Sequence, residues 1–214
     1  MSVSLPASVS LVGRSVRLEP LVEADLPELW RALGRPEVFA GGYGGGAAGL
    51  PADERAFAAF ALGYFPGFTQ QGSALTFAIR LIGGPADGRL VGASSLADVE
   101  PKREAVHLGW TGYDPAVWGS AVNPEAKLLL LGLAFDRGFG RVRIQADARN
   151  DRSRAAILKL GATFEGIVRR DARRADGSWR DAAVHSIIDE DWPDVRAGLE
   201  RRLAAVDGPV VPRD

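Results

Sequence analysis

With 214 residues, 46% of them hydrophobic, the chain is long enough for one domain with a sizeable core and short for two. A formal net charge of −1 excludes a global field that would draw it to nucleic acid or an anionic membrane, and directs attention to small-molecule or local protein partners. The absence of cysteine excludes disulfides, thiolate metal sites and a cysteine acyl-enzyme, so no metal is expected and any group transfer is direct or uses another nucleophile.

Residues 1–13 carry neither a basic start nor a continuous apolar segment, and the longest apolar run, 128–131, is far too short to span a bilayer; a soluble, cytoplasmic protein is expected. Residues 16–21 alternate as a half-buried strand, and 23–33 place Leu26, Leu29, Trp30 and Leu33 at helical spacing. The glycine-rich run 41–46 follows no strand and precedes no capped helix, which predicts a mobile surface loop rather than a phosphate loop. Residues 53–71 read as a helix broken at Pro66, with Phe57, Phe60, Ala61, Tyr64 and Phe65 on its apolar side. Together with Trp30 and Tyr43 these aromatics either line a pocket or fill the core.

Two strands, 74–82 and 89–96, flank the turn-rich segment 83–88 and form a hairpin. A further strand, 105–113, places Val106, Leu108 and Trp110 on one face and His107, Gly109 and Thr111 on the other; Gly109 and Gly112 invite a bulge. The stretch 118–127 then turns into a helix, with Asn123 as N-cap, Pro124 at the first helical position and Glu125 in the first turn. Its free N–H groups, beside the small or uncharged Gly119, Ser120, Ala121 and Val122, suit a phosphate or pyrophosphate; an ordinary capped helix has the same pattern. Residues 126–135 read as a buried helix and 141–146 as a strand, so the strands on either side of that helix are parallel. Asn150 opens a helix running to Leu160, with Gly161 as its stop. Strands at 162–169 and 182–188, joined through Asp176 and Gly177, precede an amphipathic helix at 192–203. This organisation divides the chain into a single domain, 1–205, and a loose tail, 206–214.

Two blocks, 109–126 and 150–166, resemble the GCN5-related N-acetyltransferase (GNAT) superfamily, and in particular its RimJ/RimL-like branch, which acetylates protein N-termini and assorted amines. The second block is the more specific: Asn150 and Ser153 stand in an Asn-x-x-Ser helix that ends in Gly161-Ala162, with Glu165-Gly166 soon after. In the first block Gly119, Glu125 and Ala126 match the family pattern, whereas Trp118, Ala121 and Asn123 depart from the usual Gln/Arg-x-x-Gly-x-Gly/Ala loop. The resemblance implies an α/β (α+β) fold, a twisted mixed sheet flanked by helices, in which two parallel strands, here 105–113 and 141–146, splay apart around acetyl-CoA.

It further implies that Trp110, Thr111, Gly112 and Tyr113 pair with the pantetheine arm through main-chain groups, and that Trp118, Gly119, Ser120, Ala121, Val122 and Asn123 hold the pyrophosphate. Arg149, Arg152 or Arg154 would meet the 3′-phosphate. The implied reaction is direct attack of a primary amine, of a protein N-terminus or a small molecule, on the thioester through a tetrahedral intermediate. An N–H of Trp110 or Thr111 would receive the oxyanion, Asn150 would bond the pantetheine arm, and Ser153 would protonate the thiolate. His107, where relatives carry Glu, is the expected base, with Glu104 and Glu100 as second choices; His185 reads as structural. Each of these residues has a plain structural reading as core, cap or solvated charge. Two other functions fit the residues: a non-catalytic acyl-CoA-binding or regulatory protein with this fold, and a phosphate-binding α/β protein of another fold, against which the antiparallel strands preceding the parallel pair argue. The acceptor and the oligomeric state stay open, a homodimer among the possibilities; the arginines at 169, 170, 173 and 174 are compatible with an acidic acceptor or with a solvated hairpin.

Overall fold

A computed structural model describes residues 3–213; residues 1, 2 and 214, which belong to the expected domain and tail, lie outside it. The chain opens with β1 (Leu11–Val12) and β2 (Val16–Pro20), then α1 (Leu26–Leu33), α2 (Pro36–Ala40), α3 (Glu54–Tyr64) and α4 (Pro66–Thr69). It continues through β3 (Leu75–Leu81), β4 (Leu90–Glu100), β5 (Ala105–Tyr113), α5 (Val122–Asp136), β6 (Arg141–Asp147), α6 (Asp151–Leu158), β7 (Thr163–Arg173), β8 (Trp179–Ile188) and α7 (Trp192–Ala204). The described strands form one eight-stranded sheet in the order β1-β2-β3-β4-β5-β6-β8-β7. Every neighbouring pair is antiparallel except β5 and β6, which run parallel as the helix between them requires. This is the mixed sheet flanked by helices that the sequence predicts.

The sheet has two covered faces. On one, α5 and α7 bury Val122, Ala126, Leu130, Leu131 and Leu199 against Val106, Leu108 and Val142. On the other, Leu26, Leu29 and Leu33 of α1 meet Phe57, Ala61 and Phe65, and the spacing of those leucines is what makes α1 a one-sided helix. Asp53 caps α3 by accepting the Ala56 N–H at 2.8 Å, and Pro66 separates α3 from α4 where the sequence predicts the break. The short α2 and β1 carry too few residues to show a period and went unpredicted.

Glu125 does more than supply acid to the first turn of α5. Its carboxylate is buried and accepts the N–H groups of Arg14, Ser15 and Val16 at 2.7, 2.7 and 2.9 Å, tying the start of β2 to α5. Gly13 is what leaves room, since a Cβ there would stand 2.6 Å from the Glu125 side chain. Residues 206–213 form no helix or strand, yet Val210 is buried and the Arg213 N–H donates to the Ala116 carbonyl at 2.9 Å, so the segment is seated against the turn before α5. Among the described residues no helix is long and apolar enough to cross a membrane.

Candidate active site

The site begins with an irregularity in β5. Ser95 faces Gly109 and Ala93 faces Gly112, so β5 carries one extra residue opposite β4, and Trp110 takes a left-handed φ of 50°. That extra residue corrects the predicted alternation. Val106 and Leu108 face the α5 side, but Trp110 packs with the α1–α3 cluster, while Thr111 turns to α5. Pairing between β5 and β6 stops after His107↔Arg143, although β5 continues to Tyr113 and β6 to Asp147. The strands therefore splay, and a cavity of about 820 Å³ opens between them.

At one end of the cavity lies the turn into α5. The helix starts at Val122 with Ala121 at the N-cap and no side-chain cap, so Asn123 is not the capping residue but sits in the first turn. Ala121 and Val122 are buried, and the Ser120 hydroxyl turns back to donate to the Val117 carbonyl at 2.6 Å. Of the predicted loop residues Trp118, Gly119 and Asn123 line the cavity; Ser120, Ala121 and Val122 do not. Among the described residues no acceptor pairs with the N–H of Gly119, Ala121 or Asn123, which leaves a set of donors at the positive end of a long helix. Arg152 of α6 lays its guanidinium 3.6 Å from the centroid of the Trp118 ring, bringing a cation to the same end. Arg154 points elsewhere, to the Ala148 carbonyl and Asp151, and neither it nor Arg149 lines the cavity.

At the bulge, His107 is buried in the cavity wall on the α1–α3 side, its ring 4.9 Å from that of Trp110. Its Nδ1 lies 3.1 Å from an Asp98 oxygen, and among the described residues its Nε2 has no partner. Burial outweighs the pull of Asp98 and lowers the imidazole below its ordinary value, while the bond from His107 holds the Asp98 carboxyl low, aided by Arg143. The ring is therefore neutral at pH 7, with the proton on Nδ1 and a free lone pair on Nε2. Gly109 makes space for it: a Cβ there would stand 2.8 Å from Nε2. Glu100 and Glu104 are exposed and line no part of the cavity, and His185 is buried among β-strand neighbours against Phe164.

The far wall is built by α6 and the β7–β8 hairpin. Asn150 caps α6 by accepting the Ser153 N–H at 3.0 Å, and its Nδ2 donates to the Gly41 carbonyl. Both Asn150 and Ser153 line the cavity. The glycine-rich segment, expected to be a mobile surface loop, is instead held over the cavity: the Gly45 carbonyl accepts the Ala175 N–H at 3.0 Å, and Gly41 is tied to Asn150. Arg174, from the same hairpin, pairs with the buried Asp147 at 2.7 Å. Tyr43 and Tyr64 line the cavity, whereas Trp30 packs on Phe57 in the core.

A family model described as an acetyltransferase (GNAT) domain matches residues 15–163. The chain belongs to the GNAT acetyltransferase family. Its fold matches that of a T. thermophilus protein provisionally described as an acetyltransferase, at 37% identity over 91% of this chain and 96% of that one, with a TM-score of 0.77. A GCN5-related N-acetyltransferase from Brucella melitensis is 25% identical over 95% of this chain and 89% of that one, with a TM-score of 0.81. At the level of fold alone, Mycobacterium smegmatis RimJ in complex with CoA-disulfide is also similar, at 20% identity over 96% and 93% of the two chains and a TM-score of 0.69. No curated protein matches the sequence.

For a GNAT chain the cosubstrate is acetyl-CoA, and the residues present fit it. Among the described residues the main-chain N–H groups of Gly119 and Asn123, both lining the cavity, have no acceptor and would suit a pyrophosphate, and the edge of β5 beyond His107 is left unpaired by β6, as an extended amide chain requires. Among the described residues no group of His, Asp or Glu is arranged to hold a metal ion. Lys127, in the cavity lining, and Asp98, bonded to His107 behind it, are the residues that sequence reasoning missed. Asp98 sits on a neighbouring strand with no motif around it, but Lys127 left a signal, the only charged residue between Glu125 and Asp136 in an otherwise apolar helix.

Proposed function

We propose that this protein is an acetyl-CoA-dependent N-acetyltransferase of the RimJ/RimL-like branch, acting on a primary amine of a protein N-terminus or a small molecule by direct attack. The carrying observation is the cavity between the splayed β5 and β6, with unpaired main-chain donors at its α5 end and the free His107 Nε2 lone pair at the bulge. Acetyl-CoA supplies an acyl group activated as a thioester. His107 takes a proton from the acceptor amine, and Asp98 holds its tautomer. A main-chain N–H at the bulge, of Trp110 or Thr111, is the donor for the carbonyl oxygen as it gains charge. Asn150 holds the pantetheine arm, with Ser153 beside it in the cavity wall, Gly112 and Tyr113 border it on β5, and Arg152 rather than Arg154 meets a phosphate. Residues 1–205 act as one domain in this reading.

The test is calorimetric titration with acetyl-CoA and, in parallel, with the analogue lacking the 3′-phosphate. Micromolar binding, weakened by Arg152→Ala, is the expected result, followed by thiol release with an amine acceptor. Binding with no acetylation of any amine selects the non-catalytic acyl-CoA-binding reading instead, and absence of binding removes both.

A further inference from the structure

Lys127 is a lysine where a helix should carry none. It is 5% exposed, no charged or polar side chain follows it on α5 until Asp136, and among the described residues no carboxylate pairs with it. Its Nζ donates to Thr111 Oγ1 at 2.8 Å and to Ser94 Oγ at 3.2 Å, and those two hydroxyls lie 2.7 Å apart. Lys127 and Thr111 both line the cavity. The group thus sits under the bulge, on the face of β5 opposite His107. An ammonium offers three donors and here uses two, and holding it out of water with only neutral hydroxyls costs stability. Desolvation by burial lowers its amine to about 7, so both protonation states are populated near neutrality.

We propose that the Thr111 hydroxyl is the proton donor to the departing thiol and that Lys127 is its proton source, with Ser94 orienting both. This rests on the acetyl-transfer reading above. As the amine nitrogen bonds to the acyl carbon, the carbon–sulfur bond breaks and its electron pair stays on sulfur. The Thr111 proton moves to sulfur, and Lys127 passes one ammonium proton to Thr111 Oγ1, leaving itself a neutral amine. The proton shed by the acceptor nitrogen goes to His107 Nε2. Water then takes the imidazolium proton and another recharges Lys127, so no net proton is gained or lost. Base and acid stand on opposite faces of one strand, which keeps them from neutralising each other directly.

The surroundings of Lys127 support this division. Ser94 faces it from β4 and Thr111 from β5; Tyr113, the next residue on that face of β5, is a buried hydroxyl without a partner. On its own helix, Glu125 is turned to the main chain of residues 14–16. Among the described residues none of the other titratable groups lining the cavity makes a hydrogen bond or ion pair with it: His107 is held by Asp98, Asp147 by Arg174 and Asp171 by Arg180, and Arg152 lies over Trp118. Across the cavity, and among the described residues, Ser153 makes no bond to a titratable side chain that could renew a donated proton.

Two measurements test the proposal. The first is an NMR titration of the Lys127 Cε and Nζ signals in the unliganded protein, assigned by their loss in Lys127→Met. A midpoint of about 7 is expected, and one of about 10.4, the value of a solvated lysine, overturns the proposal. The second compares acetyl-CoA binding and turnover in Lys127→Met, Thr111→Val and Thr111→Ser. Lys127→Met and Thr111→Val should keep the wild-type Kd within roughly threefold but lose roughly 10²- to 10⁴-fold in kcat. Thr111→Ser should restore turnover, and Lys127→Met should abolish the fall in kcat on the alkaline side that tracks the NMR midpoint. Wild-type turnover in Thr111→Val, or a loss confined to Ser153→Ala, overturns it. Failure of the wild-type protein to bind acetyl-CoA is a separate result that removes the acetyl-transfer reading itself.

Discussion

The two titratable residues at the bulge, His107 and Lys127, are each displaced from their ordinary protonation by the same cause. Burial disfavours the charged form of both. For each base the unfolded chain therefore binds more protons than the folded one, so stability rises with pH between the folded and unfolded pKa values. For Lys127 that window runs from about 7 up to the ordinary lysine value of 10.5. Lys127→Met should be more stable than wild type by a few kcal/mol at pH 7, with the gain shrinking towards pH 10, as read by urea unfolding at several pH values. For His107 the loss of stability comes on the acid side, below the ordinary value of 6.5. His107→Gln should lower kcat/KM roughly 10²-fold or more across pH 6 to 9. Full retention of activity would remove His107 as the base. Asp98→Asn should reproduce part of that loss, because an amide can pair with either tautomer and no longer fixes the lone pair on Nε2.

A buried carboxylate ties one element to another in this fold. Glu125 illustrates this: α5 meets β2 through one side chain that accepts three main-chain N–H groups. Removing it leaves those donors without an acceptor, so Glu125→Ala should cost about 3 kcal/mol or more, measured by chemical denaturation. Gly13→Ala should also destabilise, since the new methyl needs the space that carboxylate fills. The elements themselves are mostly legible in the sequence. Leu26, Leu29 and Leu33 announce α1, the apolar run after Ala126 announces a buried α5, and Asn150 with Ser153 announces the start of α6. The start of α5 lies two residues before the predicted one, because Asn123 and Pro124 suit a cap and first helical position as well as they suit the first turn. Gly109 and Gly112 signal the β5 bulge but not its place, so the faces of Trp110 and Thr111 are exchanged relative to the predicted alternation.

For the molecule as a whole, the cavity is closed by parts far apart in sequence. Arg174 on the hairpin holds Asp147 at the end of β6, and the hairpin main chain holds the glycine-rich segment at Gly45. Arg174→Ala strands a buried carboxylate and should cost roughly 3–5 kcal/mol. Hydrogen exchange should then quicken at the amides of residues 41–46 and 175 relative to those of α5. Unchanged exchange there would mean that the ion pair does not hold the roof. By itself the sequence determined the order of the longer helices and strands, the parallel β5–β6 pair and the family, because periodicity, caps and motifs are local patterns written in consecutive residues. Only the tertiary structure decided which side chains share the cavity. The Asp98–His107 bond, the Lys127–Thr111–Ser94 triangle and the Arg174 clamp depend on strand register and a one-residue bulge, and register is set by packing across the sheet rather than along the chain.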